Sequence, residues 1–335
     1  MKKSLAMLWM TLAVAGLAIT GCHKSDSVGP VDVAPAGVTN EQLAIQAAAT
    51  SDGFVQNDVV TFGDNELDPI NYGNFGKVDA SISPLRIGRF ITSVTSNVTT
   101  TILPGDTLAM ALIHKSFTGT FKIKGINGTG DTVTIQKAFT DTARRNIVFK
   151  RVGRDTMHYW RNWVPVASSL VDGHTVAPNN LINITMIQLF LANGDTVTVT
   201  DPSTYYLRYR WEFSLFGNAG WWRGGRHDVP EVSGGQPVRL QATVVSSSAD
   251  TDVVALRFGF DLFHKKRVQL ALVSETKNAD NTFTRVYEIS RTSPQYWHFH
   301  TGWFNLGVDA MTKGTVYDDA APYSVSWWGI PYRVF

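Results

Sequence analysis

The sequence predicts a mostly β protein in which two sheet-built modules follow an N-terminal leader, a tether and one short helix. The 335 residues include 34 Thr and 34 Val but only six Glu, and β-branched side chains suit the pleated surface of a sheet better than a helix. From about residue 84 onward, short apolar segments alternate with turn-forming residues, which is typical of sheet proteins. The length suffices for two domains of roughly 100–200 residues each.

The charge composition excludes two classes of protein. Lys and Arg number 30 against 28 Asp and Glu, and charged residues make up 17% of the chain, below the roughly 25% of average soluble domains. Neither sign of charge forms a long run. This balance argues against intrinsic disorder and against a basic nucleic-acid-binding surface, so we expect no nucleic-acid partner.

Residues 1–21 have the organisation of an export signal. Lys2 and Lys3 precede an uncharged, mostly apolar run of about eighteen residues. The run ends in Leu17-Ala18-Ile19-Thr20-Gly21-Cys22, which resembles the lipobox of bacterial lipoproteins, where a small residue precedes the cysteine and a branched aliphatic residue lies three positions before it. The resemblance implies that the leader is removed and that Cys22 carries a diacylglycerol and an amide-linked acyl chain such as palmitate.

A lipid on Cys22 would be the membrane attachment of the mature protein. Stable anchoring takes more than one acyl chain, at about 0.8 kcal/mol per buried CH₂, and a lipoprotein carries two or three. Loss of Lys2 and Lys3 leaves 28 basic and 28 acidic residues, so no net positive charge would assist binding to anionic lipid headgroups. With only one cysteine, no intramolecular disulfide can form.

The resemblance also implies a location in the cell envelope. An aspartate after the lipidated cysteine resembles an inner-membrane retention signal, and His23 occupies that position. We therefore expect the outer membrane where the source has two membranes. Two alternatives remain, an uncleaved transmembrane anchor at the short limit of about eighteen residues and an ordinary cleaved signal with an incidental cysteine.

The segments after the leader follow in order. Residues 22–38 contain Gly, Pro and polar residues without apolar periodicity and predict a flexible tether. Thr39 with Gln42 three residues later is a capping-box pattern and predicts a short helix that ends before Gly53. The rest of 39–83 is dense in turn formers and predicts an irregular segment.

The sequence of residues 84–232 predicts a first β domain. A sandwich is the preferred fold for this domain, with another β fold as the alternative. Segments 121–124 and 132–135 alternate apolar and polar residues on either side of a Gly-rich turn, and 184–190 and 196–199 do the same, so each pair predicts a hairpin.

Residues 233–335 begin with Ser-Gly-Gly-Gln-Pro, which predicts a boundary between modules. About seven short strands then follow within about a hundred residues. This pattern resembles an immunoglobulin-like β-sandwich, although the Cys and Trp landmarks of true immunoglobulin domains are missing. The resemblance implies a sandwich for this module.

Two pairs of consecutive tryptophans, Trp221-Trp222 and Trp327-Trp328, are candidate ligand-binding residues. Neighbouring residues in a strand point to opposite faces of the sheet, so one member of each pair is a candidate for exposure. An exposed indole can stack on a sugar ring or contact a peptide. The other interpretation is that these tryptophans fill a core or a domain interface.

His298 and His300 are candidate metal ligands. In a strand they would share one face, and two imidazoles so placed can chelate Zn²⁺ if a neighbouring strand supplies a third ligand. The other interpretation is that Trp297 and Phe299 fill the core while both histidines face solvent. The signatures of the common hydrolase, nucleotide-binding and dinucleotide-binding classes are missing from the sequence.

These observations predict a lipid-anchored envelope protein with a non-enzymatic binding or structural role and no cofactor. Its expected partners are the membrane, reached through the lipid, and another envelope protein or a glycan. One alternative is a carbohydrate-binding or adhesion module that uses exposed tryptophans, and a second is a metal-dependent enzyme centred on His298 and His300.

Overall fold

The computed structural model describes most of the chain beyond the predicted tether. The described residues are 38–64, 66–70, 81–154, 158, 162–191, 194–208, 226–227, 231–232, 235–258, 266–292 and 302–334. The leader, Cys22 and nearly all of the tether therefore lie outside the described residues. No helix in the described part of the chain is long and apolar enough to cross a membrane.

Three helices occur among the described residues, namely α1 (Asn40–Thr50), α2 (Gly53–Phe62) and α3 (Lys313–Tyr317). The predicted capping box starts α1, because the Thr39 hydroxyl accepts from Gln42 N at 3.2 Å and Gln42 Oε1 accepts from Thr39 N at 2.8 Å. The short helix is thus confirmed. Helix α2 was not predicted, and it lies where the sequence indicated an irregular segment.

The remaining regular structure is β. The strands in chain order are β1 (Asp68–Pro69), β2 (Ile82–Ile102), β3 (Leu108–Asn127), β4 (Thr132–Arg151), β5 (Trp163–Ser169), β6 (Val171–Thr175), β7 (Ile182–Phe190), β8 (Thr196–Val199), β9 (Tyr206–Arg208), β10 (Arg226–His227), β11 (Glu231–Val232), β12 (Pro237–Ser246), β13 (Val253–Phe258), β14 (Lys266–Gln269), β15 (Ala271–Lys277), β16 (Phe283–Thr292), β17 (Gly302–Met311) and β18 (Val325–Val334). Both predicted hairpins are confirmed, as the antiparallel pairs β3–β4 and β7–β8.

The strands form two sheets. A large sheet of 13 strands has the order β1-β2-β3-β4-β6-β18-β17-β13-β14, and the short strands β5, β9, β10 and β11 pair beside this path. A small sheet of five strands has the order β15-β16-β12-β7-β8. Strands β2, β3 and β4 are 21, 20 and 20 residues long and form an antiparallel meander at one side of the large sheet.

Two apolar cores lie on opposite faces of the large sheet. On one face, Val308 and Trp328 pack with Leu240 and Val244 of the small sheet. On the other face, Phe62 of α2 belongs to a core with aromatic and aliphatic residues of β3, β4 and β18. The chain is therefore mostly β with two sheets in a sandwich-like arrangement, as predicted.

The predicted boundary at residue 233 does not separate two sheets. Strand β12 pairs with β7 in the small sheet, and β18 pairs with β6 in the large sheet. The strands of 84–232 and of 233–335 thus contribute to both sheets, and residues 38–335 form one compact unit.

Gly173 makes room for a buried tryptophan. It lies opposite Trp327 in the β6–β18 pair, and a Cβ atom at this position would overlap Cε2 and Nε1 of that indole. Trp327 cannot move away freely, because its ring stacks on Phe62 with the centroids 5.0 Å apart and an interplanar angle of 25°.

We predict that Gly173→Ala lowers the free energy of unfolding by about 1–3 kcal/mol, the usual range for overpacking a core. Urea unfolding followed by tryptophan fluorescence measures the change. Gly307→Ala is the matched control, because a Cβ there would lie 3.4 Å from its nearest neighbour, an ordinary contact. Equal stabilities of the two variants would contradict the packing argument.

Candidate functional site

Six charged side chains meet at the end of α2, where the large sheet curves round the helix. We call this group the seam cluster. It comprises three aspartates and three arginines, namely Asp64, Asp68, Arg89, Arg257, Arg267 and Asp309. They come from the segment after α2 and from β1, β2, β13, β14 and β17, and the side chains of all six are at most 10% exposed.

Arg257 caps the C-terminus of α2. Its Nη1 donates to the carbonyl oxygens of Thr61 and Phe62 at 2.6 and 2.7 Å, and its Nη2 donates to Gly63 O at 2.9 Å and to the carboxylate of Asp64. The last carbonyls of a helix have no partner within the helix and carry partial negative charge. The guanidinium therefore satisfies these acceptors where water cannot reach them.

Arg267 joins the two ends of the large sheet. It belongs to β14, the last strand in the sheet order, while Asp68 belongs to β1, the first. Its Nη1 lies 3.4 Å from Asp68, and its Nη2 lies 3.3 Å from Asp64. The sheet is thus wrapped round α2, and its edges are held together by buried ion pairs.

Asp309 is the carboxylate shared by the three arginines. It pairs directly with Arg89 and lies 3.5 Å from Arg257 Nε and 3.8 Å from Arg267 Nη2. Arg89 also lies over the ring of Phe62, 4.3 Å from its centroid. Burial alone would lower the pKa of Arg89, but Asp309 and its neighbouring acidic groups raise it above its ordinary value.

A second ionic group fixes the middle of α2. Asp58 accepts from Arg145 Nε and Nη2 at 3.2 and 2.5 Å, and Lys115 Nζ lies 3.7 Å from its carboxylate. Arg145 Nη1 donates further to Ser168 Oγ at 3.1 Å and to Ser169 O at 2.7 Å. Burial lowers the pKa of Lys115, and the charge of Asp58 opposes that shift. Helix α2 is therefore held by charges at its middle and at its end.

A third group lies on β4, where Lys137 and Asp141 contact the connection between β17 and β18. The Tyr323 hydroxyl donates to Asp141 Oδ2 at 3.1 Å. Burial raises the pKa of Asp141 to about 7, although the proximity of the Thr175 hydroxyl, the charge of Arg89 and the hydrogen bond from Tyr323 act to lower it. Asp141 is fully buried, so its ionised form is poorly solvated.

The predicted tryptophan site differs from expectation at its described pair. Trp327 and Trp328 point to opposite faces of β18, as predicted, but they are only 1% and 2% exposed. Neither indole is a candidate for ligand contact through an exposed ring, and the alternative of a core position holds at this pair, because the α2 side covers one face of the strand and the small sheet covers the other. The other pair, Trp221 and Trp222, lies outside the described residues.

The predicted metal ligands His298 and His300 also lie outside the described residues. Within the described ranges, no group of three or more His, Cys, Asp or Glu side chains is arranged to hold a metal ion. The charged groups at α2 and on β4 were not predicted as sites. Their contacts are with helix ends, backbone carbonyls and each other, which is an arrangement that positions and stabilises structural elements.

Comparisons with known proteins assign no family. No family model and no curated protein match the chain. Among solved structures, the chain is aligned with a structure of the SMP domain and two C2 domains of Extended-Synaptotagmin 2, at 7% sequence identity and a TM-score of 0.13, covering 87% of this chain and 92% of that one. A similarity at this score carries no argument about fold or function.

Proposed function

We propose that this chain is a lipid-anchored protein of the bacterial cell envelope with a non-enzymatic binding or structural role. The observation that carries the proposal is the segment from Leu17 to Cys22, which resembles a lipobox and places the chain's only cysteine at its end. After removal of residues 1–21, acylated Cys22 would anchor the protein in the membrane. His23 favours the outer membrane where there are two.

The described polar groups support a role without catalysis. The charged side chains round α2 are buried and contact one another or helix carbonyls. These contacts hold the helix inside the sheet. A rigid sheet scaffold on a lipid anchor suits a contact with another envelope protein or a glycan.

We predict that Cys22→Ala abolishes acylation and, in protein from which the leader has been removed, membrane attachment. A clickable palmitate analogue should label the wild-type protein in growing cells, and the variant should remain unlabelled and be found as soluble protein or as unprocessed precursor. The measurement is fluorescence of the labelled band together with fractionation of membranes. Ser25→Ala, a change in the same segment, should keep the label.

Membrane association of a Cys22→Ala protein from which residues 1–21 have been removed would refute the lipid anchor, whereas an unprocessed precursor is held by its apolar leader. The partner is tested separately, by crosslinking in intact cells that carry the wild-type protein and comparison with cells that carry Cys22→Ala. A crosslinked envelope protein or glycan that appears only with the anchored form supports a binding role at the membrane. Identical crosslinks with both forms would show that the anchor does not direct the contact.

A further inference from the structure

We propose that the connection between β17 and β18, residues 312–324, is a proton-sensitive strap that docks on β4 through Lys137 and Asp141 and is held least firmly when both side chains are charged. We call these residues the strap. The inference does not depend on the lipid anchor or on the identity of a partner.

The docking contacts are polar at both ends of the strap. Lys137 Nζ donates to the carbonyl oxygens of Gly314 and Asp318 at 2.9 and 2.5 Å. At the other end, Tyr323 OH donates to Asp141 Oδ2. Lys137 and Asp141 are four residues apart in β4 and therefore lie on the same face of the strand.

An aromatic contact lies between the two polar ones. The ring of Tyr323 stacks on Phe139 with the centroids 5.1 Å apart and an interplanar angle of 28°, and it lies 5.4 Å from the ring of Phe121. Release of the strap would uncover this aromatic face, and it would admit water to Lys137 and Asp141.

Both docking side chains are buried ionisable groups. Asp141 is 0% exposed and Lys137 is 7% exposed, and Asp141 Oδ1 has no hydrogen-bond donor among the described residues. A buried charge without full compensation is unfavourable. Each ionised group therefore weakens docking relative to its neutral form.

Ionisable side chains of neighbouring elements face both Asp141 and Lys137. Asp141 faces Arg89 of β2, Asp309 of β17 and the Tyr323 phenol of the strap. Lys137 faces two strap carboxylates, Asp318 and Asp319, and burial lowers its pKa to about 8 against their attraction.

The remaining ionisable side chains of the strap are Lys313 and Tyr317. Lys313 lies 3.3 Å from Asp250 at the surface. Burial raises the pKa of Tyr317 to about 12, so it stays neutral near pH 7 and 8.

The two groups respond to pH in opposite directions. Release lets the pKa of Asp141 fall from about 7 towards its ordinary value near 3.8, so release expels a proton and is favoured as the pH rises to about 7. Release lets the pKa of Lys137 rise from about 8 towards 10.5, so release takes up a proton and is disfavoured as the pH rises above about 8. Release of the strap is therefore greatest between these values, where both side chains are charged.

Amide hydrogen exchange tests the proposal on the intact folded chain. Protection factors of the strap, corrected for intrinsic exchange and divided by those of β12 in the small sheet, are measured from pH 5 to 10. Because one proton is exchanged, the ratio should fall by up to tenfold per pH unit towards pH 7 and recover above pH 8. A ratio that does not change with pH would overturn the proposal.

Variants assign each limb of the profile to its residue. Asp141→Asn should remove the fall in the protection ratio towards pH 7, which is the acid limb of the profile. Lys137→Met should remove the recovery above pH 8, which is the alkaline limb. Tyr323→Phe removes a hydrogen bond that lowers the pKa of Asp141, so it should move the acid limb to higher pH. This milder variant keeps the test decisive if the others fold poorly, because an acid limb unmoved in Tyr323→Phe would contradict the assignment to Asp141.

Discussion

Asp309→Asn is expected to lower the free energy of unfolding by about 3–5 kcal/mol, the range observed when one partner of a buried ion pair is removed. The carboxylate pairs with Arg89 and lies within 4 Å of Arg257 and Arg267. Asparagine keeps the size of the side chain but leaves the seam cluster with three guanidinium groups and only two carboxylates. The excess positive charge is buried where water cannot stabilise it.

Urea unfolding of the purified protein measures this loss, and an exposed aspartate provides the control. The side chain of Asp250 is 67% exposed and pairs with Lys313, so Asp250→Asn should change stability by at most about 1 kcal/mol. If both variants unfold at the same urea concentration, the seam cluster does not hold the edges of the large sheet together.

The second large effect is expected for Asp58→Ala, which should also cost about 3–5 kcal/mol. This change removes the carboxylate that pairs with Lys115 and Arg145 and leaves both cations buried next to α2. The hydrogen bonds of Arg145 to Ser168 and Ser169 remain, but they satisfy donors without neutralising the charge. Thermal or urea unfolding gives the magnitude.

A combined replacement distinguishes the loss of ionic attraction from the cost of leaving unpaired charges buried. In Asp58→Leu with Lys115→Met and Arg145→Met, all three charges are replaced by apolar side chains of comparable length. Replacing a whole buried ionic group in this way is often neutral or stabilising, so the triple variant should recover most of the stability lost in Asp58→Ala. A triple variant as unstable as the single one would mean that the specific contacts of Arg145 matter more than its charge.

Local sequence patterns predicted the local structure well. The Thr39 and Gln42 capping box, the two hairpins and the alternation of Trp327 and Trp328 all depend on residues close together in the chain. Helix α2 was missed because its sequence, GFVQNDVVTF, contains Gly, Asn and three valines, which are poor helix formers. Its helical state is stabilised by distant partners, Arg257 at its end and Arg145 at its middle.

The sheet pairing and the site could be predicted only in part. Which strands pair, and what covers each face of β18, depends on segments far apart in the sequence, so the boundary at residue 233 and the exposure of a tryptophan could not be judged locally. A signal for the ionic cluster was present, since Arg89 and Asp309 each interrupt an otherwise apolar stretch of a strand. A charge in that position must be buried with a partner or face solvent, and the sequence alone does not distinguish the two.

The capping of α2 by Arg257 also constrains how the chain folds. The guanidinium and the carbonyl of Phe62 are 195 residues apart in sequence, so the helix gains its cap only after most of the chain has been synthesised. Contacts of such high contact order require costly loop closure and are associated with slow folding. We therefore expect α2 to acquire native protection late, together with the C-terminal strands, and fragments that end before β13 to leave its carbonyls uncapped.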